Sequence, residues 1–150
     1  VHTHRLRIHL DNRRAGHAYL ELVRPGQERG EVYGYYPERY GEKREVLIDR
    51  GEVRKDRSRL DDVRQTEGDR LITKSIELHP DAFARLTHYL EEQMDHPSTY
   101  LLVGSNCIDF IQQAYSVGVG EGRFLELYTP DELKRLSWVG VYGRLLRGLL

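Results

Sequence analysis

Three strand-length segments of alternating polarity occupy the first 36 residues, separated by turn signals, and they commit this part of the chain to an antiparallel sheet. Thr3 to Leu10 puts Leu6, Ile8 and Leu10 on one face and Arg5, Arg7 and His9 on the other. Asp11-Asn12-Arg13-Arg14 reads as a turn. Gly16 to Val23 alternates again, with Ala18, Leu20 and Leu22 opposed to His17, Tyr19 and Glu21. Arg24-Pro25-Gly26-Gln27 is a turn, and Glu31 to Tyr36 is rich in strand formers and stops at Pro37. The pattern predicts a meander.

From Glu38 to Arg70 acids and bases interleave and large apolar residues are few, which reads as a solvated excursion with one strand-like piece, Glu45 to Ile48. A return strand follows at Leu71 to Leu78. Pro80 opens a helix to about Met94, with Phe83, Leu86, Leu90 and Met94 at helical spacing and Asp81 in the first turn. Tyr100 to Val103 is a short apolar stretch ended by Gly104-Ser105-Asn106. A second helix starts near Cys107, with Ile108, Ile111 and Tyr115 as its apolar stripe and Gly118, Gly120 and Gly122 at its end. Thr129-Pro130-Asp131-Glu132 is a capping box that starts another helix. The fold class is therefore α+β, a small antiparallel sheet packed against two or three helices. At 150 residues the chain suits one domain, and Val1 in place of Met fits a domain cut from a longer polypeptide.

A net charge of −1 gives no general pull toward phosphate backbones or anionic membranes, and the balanced signs of the charged middle argue against a nucleic-acid patch. One cysteine excludes an internal disulfide framework and a Cys-rich zinc site. His2 and His4 have metal-like spacing but lack a third ligand. Neither a metal nor an organic cofactor is expected.

The chemistry points to Cys107. Ser105 and Asn106 precede it, and both types cap helix starts well. A sulfur in the first turn lies at the positive end of the helix dipole, where unpaired N–H groups stabilise a thiolate and can hold a developing oxyanion. A thiol pKa below the ordinary range is expected. His17, on the strand face opposite Ala18, Leu20 and Leu22, supplies an imidazole, and the two together make a thiolate–imidazolium pair. The sulfur is expected within a few ångströms of the ring. A third group should orient the imidazole, and Glu31 and Tyr33 are the candidates from the following strand. His79 reads as a residue that starts a helix, while His88 and His96 read as solvent-facing.

The strand Gly16-His17-Ala18-Tyr19-Leu20-Glu21-Leu22, the strand ending Tyr33-Gly34-Tyr35-Tyr36-Pro37, and the helix opening Ser105-Asn106-Cys107-Ile108-Asp109-Phe110 together resemble the circularly permuted NlpC/P60 branch of the papain-like hydrolases. In that branch the histidine strand precedes the cysteine helix. Lecithin–retinol acyltransferase-like proteins belong to it, and the motifs also resemble C-terminal domains of bacterial polymorphic and type VI secretion toxins. The resemblance implies Cys107 as nucleophile and His17 as base. Its third position is often His, Asn or another polar group, where this segment offers Glu31 or Tyr33. It further implies an antibacterial toxin delivered into a target cell, acting in the periplasm or at the membrane, with a cognate immunity protein.

Such a site attacks an acyl carbon and passes through a thioester. The substrate class leans to phospholipid acyl esters, because the permuted branch includes lipid-acyl enzymes and because residues 136–150 combine Trp138, Leu145, Leu146, Leu149 and Leu150 with Arg144 and Arg147, which suits a membrane surface; the same tail equally reads as a terminal helix or strand packed on the core. A peptidoglycan amidase or endopeptidase is the alternative within the same chemistry. A non-catalytic binding module or a nuclease-type toxin using His17 with acids of the charged stretch are alternatives of another kind.

Overall fold

The computed structural model describes residues 3–11, 17–37, 48–55, 57–67, 71–96, 99–101 and 107–135. The strands are β1 (His4–Asp11), β2 (His17–Val23), β3 (Glu31–Pro37), β4 (Ile48–Lys55), β5 (Leu71–Leu78) and β6 (Thr99–Leu101), and the helices are α1 (Arg57–Glu67), α2 (Pro80–Asp95), α3 (Cys107–Gly118) and α4 (Pro130–Arg135). The strands form one sheet in the order β5-β1-β2-β3-β4-β6 with every pairing antiparallel. The α+β class, with a small antiparallel sheet against helices, holds.

The meander forms as its alternation dictates. Gln27 N–H closes the first β2–β3 turn onto Arg24 O at 3.1 Å, with Pro25 second and Gly26 third at φ 79°, a position suited to glycine. Gly30 ends that connection pressed against β2: a Cβ there would meet Leu22 O at 1.8 Å, so no other residue fits.

The principal core lies on one face of the sheet. Leu6, Ile8, Leu10, Ala18, Leu20 and Leu22 meet Phe83, Leu86 and Leu90 of α2 and Ile108, Ile111 and Ala114 of α3. Each aliphatic side chain buried there stabilises the fold by about 1.5–3 kcal/mol relative to exposure. Met94, at the end of the α2 stripe, is 37% exposed and does not join the core as its spacing suggested. His79 caps α2, its Nδ1 accepting from Asp81 N–H at 3.1 Å. The capping box of α4 is reciprocal, Thr129 N–H to Glu132 at 2.8 Å and Glu132 N–H to Thr129 Oγ1 at 3.2 Å.

The charged middle departs from its reading as a solvated excursion. Its strand begins at Ile48 and runs to Lys55, and α1 follows. Residues 45–47, read as strand, lie outside the described residues. β4 carries few apolar residues and forms because it pairs with β3 from Tyr33↔Lys55 to Pro37↔Gly51. Among the described residues the buried apolar side chains of α1 are Leu60 and Val63, with Leu60 set among Tyr19 and Val32 of the second face of the sheet. That apolar stripe is too narrow to read from sequence. Among the described residues, no helix is long and apolar enough to cross a membrane.

Candidate active site

β2 and β3 pair over Leu20↔Tyr33, Glu21↔Val32 and Leu22↔Glu31, whereas β2 stays paired with β1 down to Asp11↔His17 and β3 stays paired with β4 out to Pro37. Among the described residues the paired register between the two central strands therefore stops at Leu20, a split in the pairing at the start of β2. Cys107 and His17 both lie at this split.

Cys107 is the first residue of α3, as the sequence suggested. It packs with Ala18 and Phe110 on the principal-core face. Ser105 and Asn106, read as cap and oxyanion donors, lie outside the described residues. Burial pushes the thiol up to about 12, against the opposing pull of amide N–H groups of Ala18, Cys107 and Ile108 aimed at the sulfur. The expectation of a depressed thiol pKa is thus overturned. Three favourable amide dipoles, two from the start of α3 and one from β2, do not offset the desolvation of a buried thiolate.

His17 takes the other face. Its ring meets Tyr19 edge-on at 4.5 Å and stacks on Tyr36 at 4.5 Å with an interplanar angle of 19°. Arg54 of β4 and Arg59 of α1 each lie 5.2 Å from the centre of the Tyr36 ring. The sulfur and the imidazole thus approach the split from opposite faces, in contrast to the shared pocket expected, because strand alternation turns His17 away from its neighbour Ala18. The link between them is one residue long: Ala18, whose N–H faces the sulfur, follows His17 directly.

Neither candidate for the third position reaches the imidazole. Glu31 is exposed, pairs with Lys55 at 3.8 Å and lies opposite Leu22, about 17 Å of strand from His17. Tyr33 lies opposite Leu20 in the principal core, where burial, then the nearby Glu31 charge, raises its hydroxyl pKa. The residue beside His17 is Asp11, its direct cross-strand partner and fully buried. Directly opposed residues share a face with Cβ atoms about 5 Å apart. Reading Asp11 as part of a turn hid it. A hairpin register carried one step further would have paired it with His17.

The same face carries a second buried histidine that its alternation with arginines disguised as exposed. His9 Nε2 meets Glu21 at 2.8 Å and Nδ1 meets Thr73 Oγ1 at 2.7 Å. Burial, largely, holds the imidazole neutral by lowering its pKa, although Glu21 pulls the other way. Burial also raises the Glu21 carboxyl, but hydrogen bonds from His9, Gly30 N–H and Arg57 outweigh it and hold the group ionised far below the usual range. Nε2 therefore donates to Glu21, and Nδ1 accepts from the Thr73 hydroxyl. Arg57 also donates to Gly30 O, tying α1 to the β2–β3 connection. Among the described residues no group of three or more His, Cys, Asp or Glu could hold a metal ion.

The arrangement is that of an α+β domain with a parted antiparallel sheet, a helix-start cysteine and a strand histidine at the parting. No family model matches the chain, and no curated protein matches it. Its fold is similar to the crystal structure of the type VI secretion system effector TseH, with a TM-score of 0.56 at 17% identity over 95% of this chain and 88% of that one.

Proposed function

We propose that this chain is the catalytic domain of a toxin-type effector, a cysteine hydrolase in which Cys107 attacks an acyl carbon, His17 moves the proton and Asp11 orients the imidazole. The observation that carries the reading is the meeting at one split of a cysteine at a helix start, three amide N–H groups aimed at its sulfur, and the sequence step His17-Ala18. Likeness of fold to a type VI effector supports delivery into a target cell and, with it, a cognate immunity protein.

A thiol raised to about 12 stays protonated at neutral pH, so attack needs a base to take its proton. The pair then works as a hydroxyl nucleophile does, by general-base assistance. The imidazole turns into the split and takes the thiol proton as sulfur bonds to the carbonyl carbon. The carbonyl oxygen gathers the negative charge, and helix-start N–H groups stabilise it. Collapse breaks the bond to the leaving group, which receives that proton from His17. Water then gives its proton to His17 and attacks the thioester, releasing the acid and the thiol.

The apolar tail at 136–150, which lies outside the described residues, favours a phospholipid ester over a cell-wall amide as substrate. The test incubates the purified chain with phospholipid vesicles and, separately, with peptidoglycan sacculi. Fatty-acid release that vanishes in Cys107→Ala and His17→Ala supports the lipid reading. Thiol-dependent release of new amine ends moves the substrate to peptidoglycan, and any hydrolysis that survives Cys107→Ala removes the cysteine mechanism.

A further inference from the structure

The second face of the sheet holds a hydroxyl, an imidazole and a carboxylate in line, and the cysteine chemistry uses none of them. Thr73 of β5 stands directly opposite His9 of β1, and its Oγ1 lies 2.7 Å from His9 Nδ1. His9 Nε2 lies 2.8 Å from the Glu21 carboxylate of β2. Three neighbouring strands thus supply one member each. Burial is graded along the line: His9 and Glu21 are both 0% exposed, whereas Thr73 is exposed. Glu21 stays ionised and fixes the proton on Nε2, so the Nδ1 lone pair is aimed at the Thr73 hydroxyl. Burial above all keeps the imidazole neutral and able to take a proton at neutral pH. Of the charged groups facing it, Glu21, itself held by Arg57, raises its basicity, and Arg64 and Arg7 lower it. A hydroxyl held by a base that is held in turn by an acid is the arrangement that activates an oxygen nucleophile.

We propose that Thr73 is an acyl-accepting nucleophile, with His9 as its base and Glu21 orienting that base, toward small activated acyl donors whose leaving group departs as an anion. The site is independent of Cys107 and His17. Thr73 Oγ1 bonds to the carbonyl carbon while its proton passes to His9 Nδ1, and Glu21 balances the imidazolium formed. The bond from that carbon to the leaving group breaks, and its electron pair departs with the leaving group. A sealed imidazole has no route for handing a proton to a departing alkoxide, which sets the demand on the leaving group. For the same reason water is poorly activated for a second step, so the acyl group stays on Thr73 as an ester and the proton on Nδ1 is released slowly to solvent.

The experiment treats Cys107→Ala, which removes the competing thiol, with p-nitrophenyl acetate and follows the adduct by intact mass and peptide mapping. Ser75 is the internal control, because it is exposed on the same face of the same strand but opposite Arg7 in place of a histidine. Acetylation of Thr73 is expected about a hundredfold faster than that of Ser75, although the secondary hydroxyl is the more hindered. Its rate should be level at neutral pH and above, and fall only below pH 6.5 as His9 takes up a proton. Thr73→Val, a change of shape-matched side chain at an exposed strand position, should remove the fast phase of p-nitrophenolate release, and Thr73→Ser should restore it. His9→Gln removes a buried member of the network and risks the fold, so the pH profile carries the test of the base. Equal rates at Thr73 and Ser75, or a rate at Thr73 that climbs steadily above neutral pH as unassisted hydroxyl attack does, overturn the proposal. The readout is taken without the thiol, so its result stands apart from whether Cys107 hydrolyses lipid or peptidoglycan.

Discussion

On the α2–α3 face of the sheet the buried residues described are mainly leucine, isoleucine and phenylalanine, with Tyr33, Tyr35, Tyr115, Tyr128 and Cys107 among them. On the α1 face, His9, Asp11, His17 and Glu21 are all buried beside a small apolar cluster of Tyr19, Val32 and Leu60. The first face is stabilised by removing apolar area from water, which is nondirectional and insensitive to pH. The second depends on each polar group finding its partner, because an orphaned one is penalised in full. One sheet therefore serves as a foundation on one side and as a chemically specific surface on the other.

The comparison breaks most readily at Glu21. Glu21→Ala strands His9, Gly30 N–H and Arg57 at once, and urea unfolding should show a loss of about 4 kcal/mol. On the dry face, Ile111→Ala should lose about 3 kcal/mol by leaving a cavity. A Glu21 variant as stable as wild type would mean that the polar network contributes nothing and that the faces do not differ.

Acid sharpens the contrast. The folded His9 pKa lies below its ordinary 6.5, so below that pH the unfolded chain takes up a proton the folded one refuses, and stability falls. The folded Glu21 pKa lies far below its ordinary 4.5, so its contribution is complete above that value and drains away as pH falls further. Thermal melts from pH 7 to pH 3 should show Tm falling in two stages, the first starting near 6.5 and the second near 4.5. Glu21→Gln should flatten the lower stage, and Ile111→Ala should shift the whole curve with its shape unchanged. At the smallest end, Asp61→Asn on α1 loosens partly exposed pairs with Arg29 and Arg57. It should lower stability by only about 0.5 kcal/mol, and less in high salt.

Much of the first face was legible in order of residues. Leu6, Ile8 and Leu10 against Arg5, Arg7 and His9 is a period of two, and Phe83, Leu86 and Leu90 a helical one, so strand and helix followed from spacing. Cys107 at the first residue of α3 followed from the capping residues before it. The second face was illegible because its residues are polar. His9 alternates with arginines and reads as solvated, Asp11 reads as turn, and β4 and α1 carry two apolar residues apiece.

By itself the sequence determined the antiparallel meander, the two helices that cover it and the position of Cys107 at a helix start, because these follow from local periodicity and capping. Only the tertiary structure decided that the thiol is enclosed, that the His17 ring stacks on Tyr36, and that Asp11 is its direct cross-strand neighbour. Desolvation and cross-strand neighbours depend on what distant segments bring to the same place, and no local pattern along a chain encodes that.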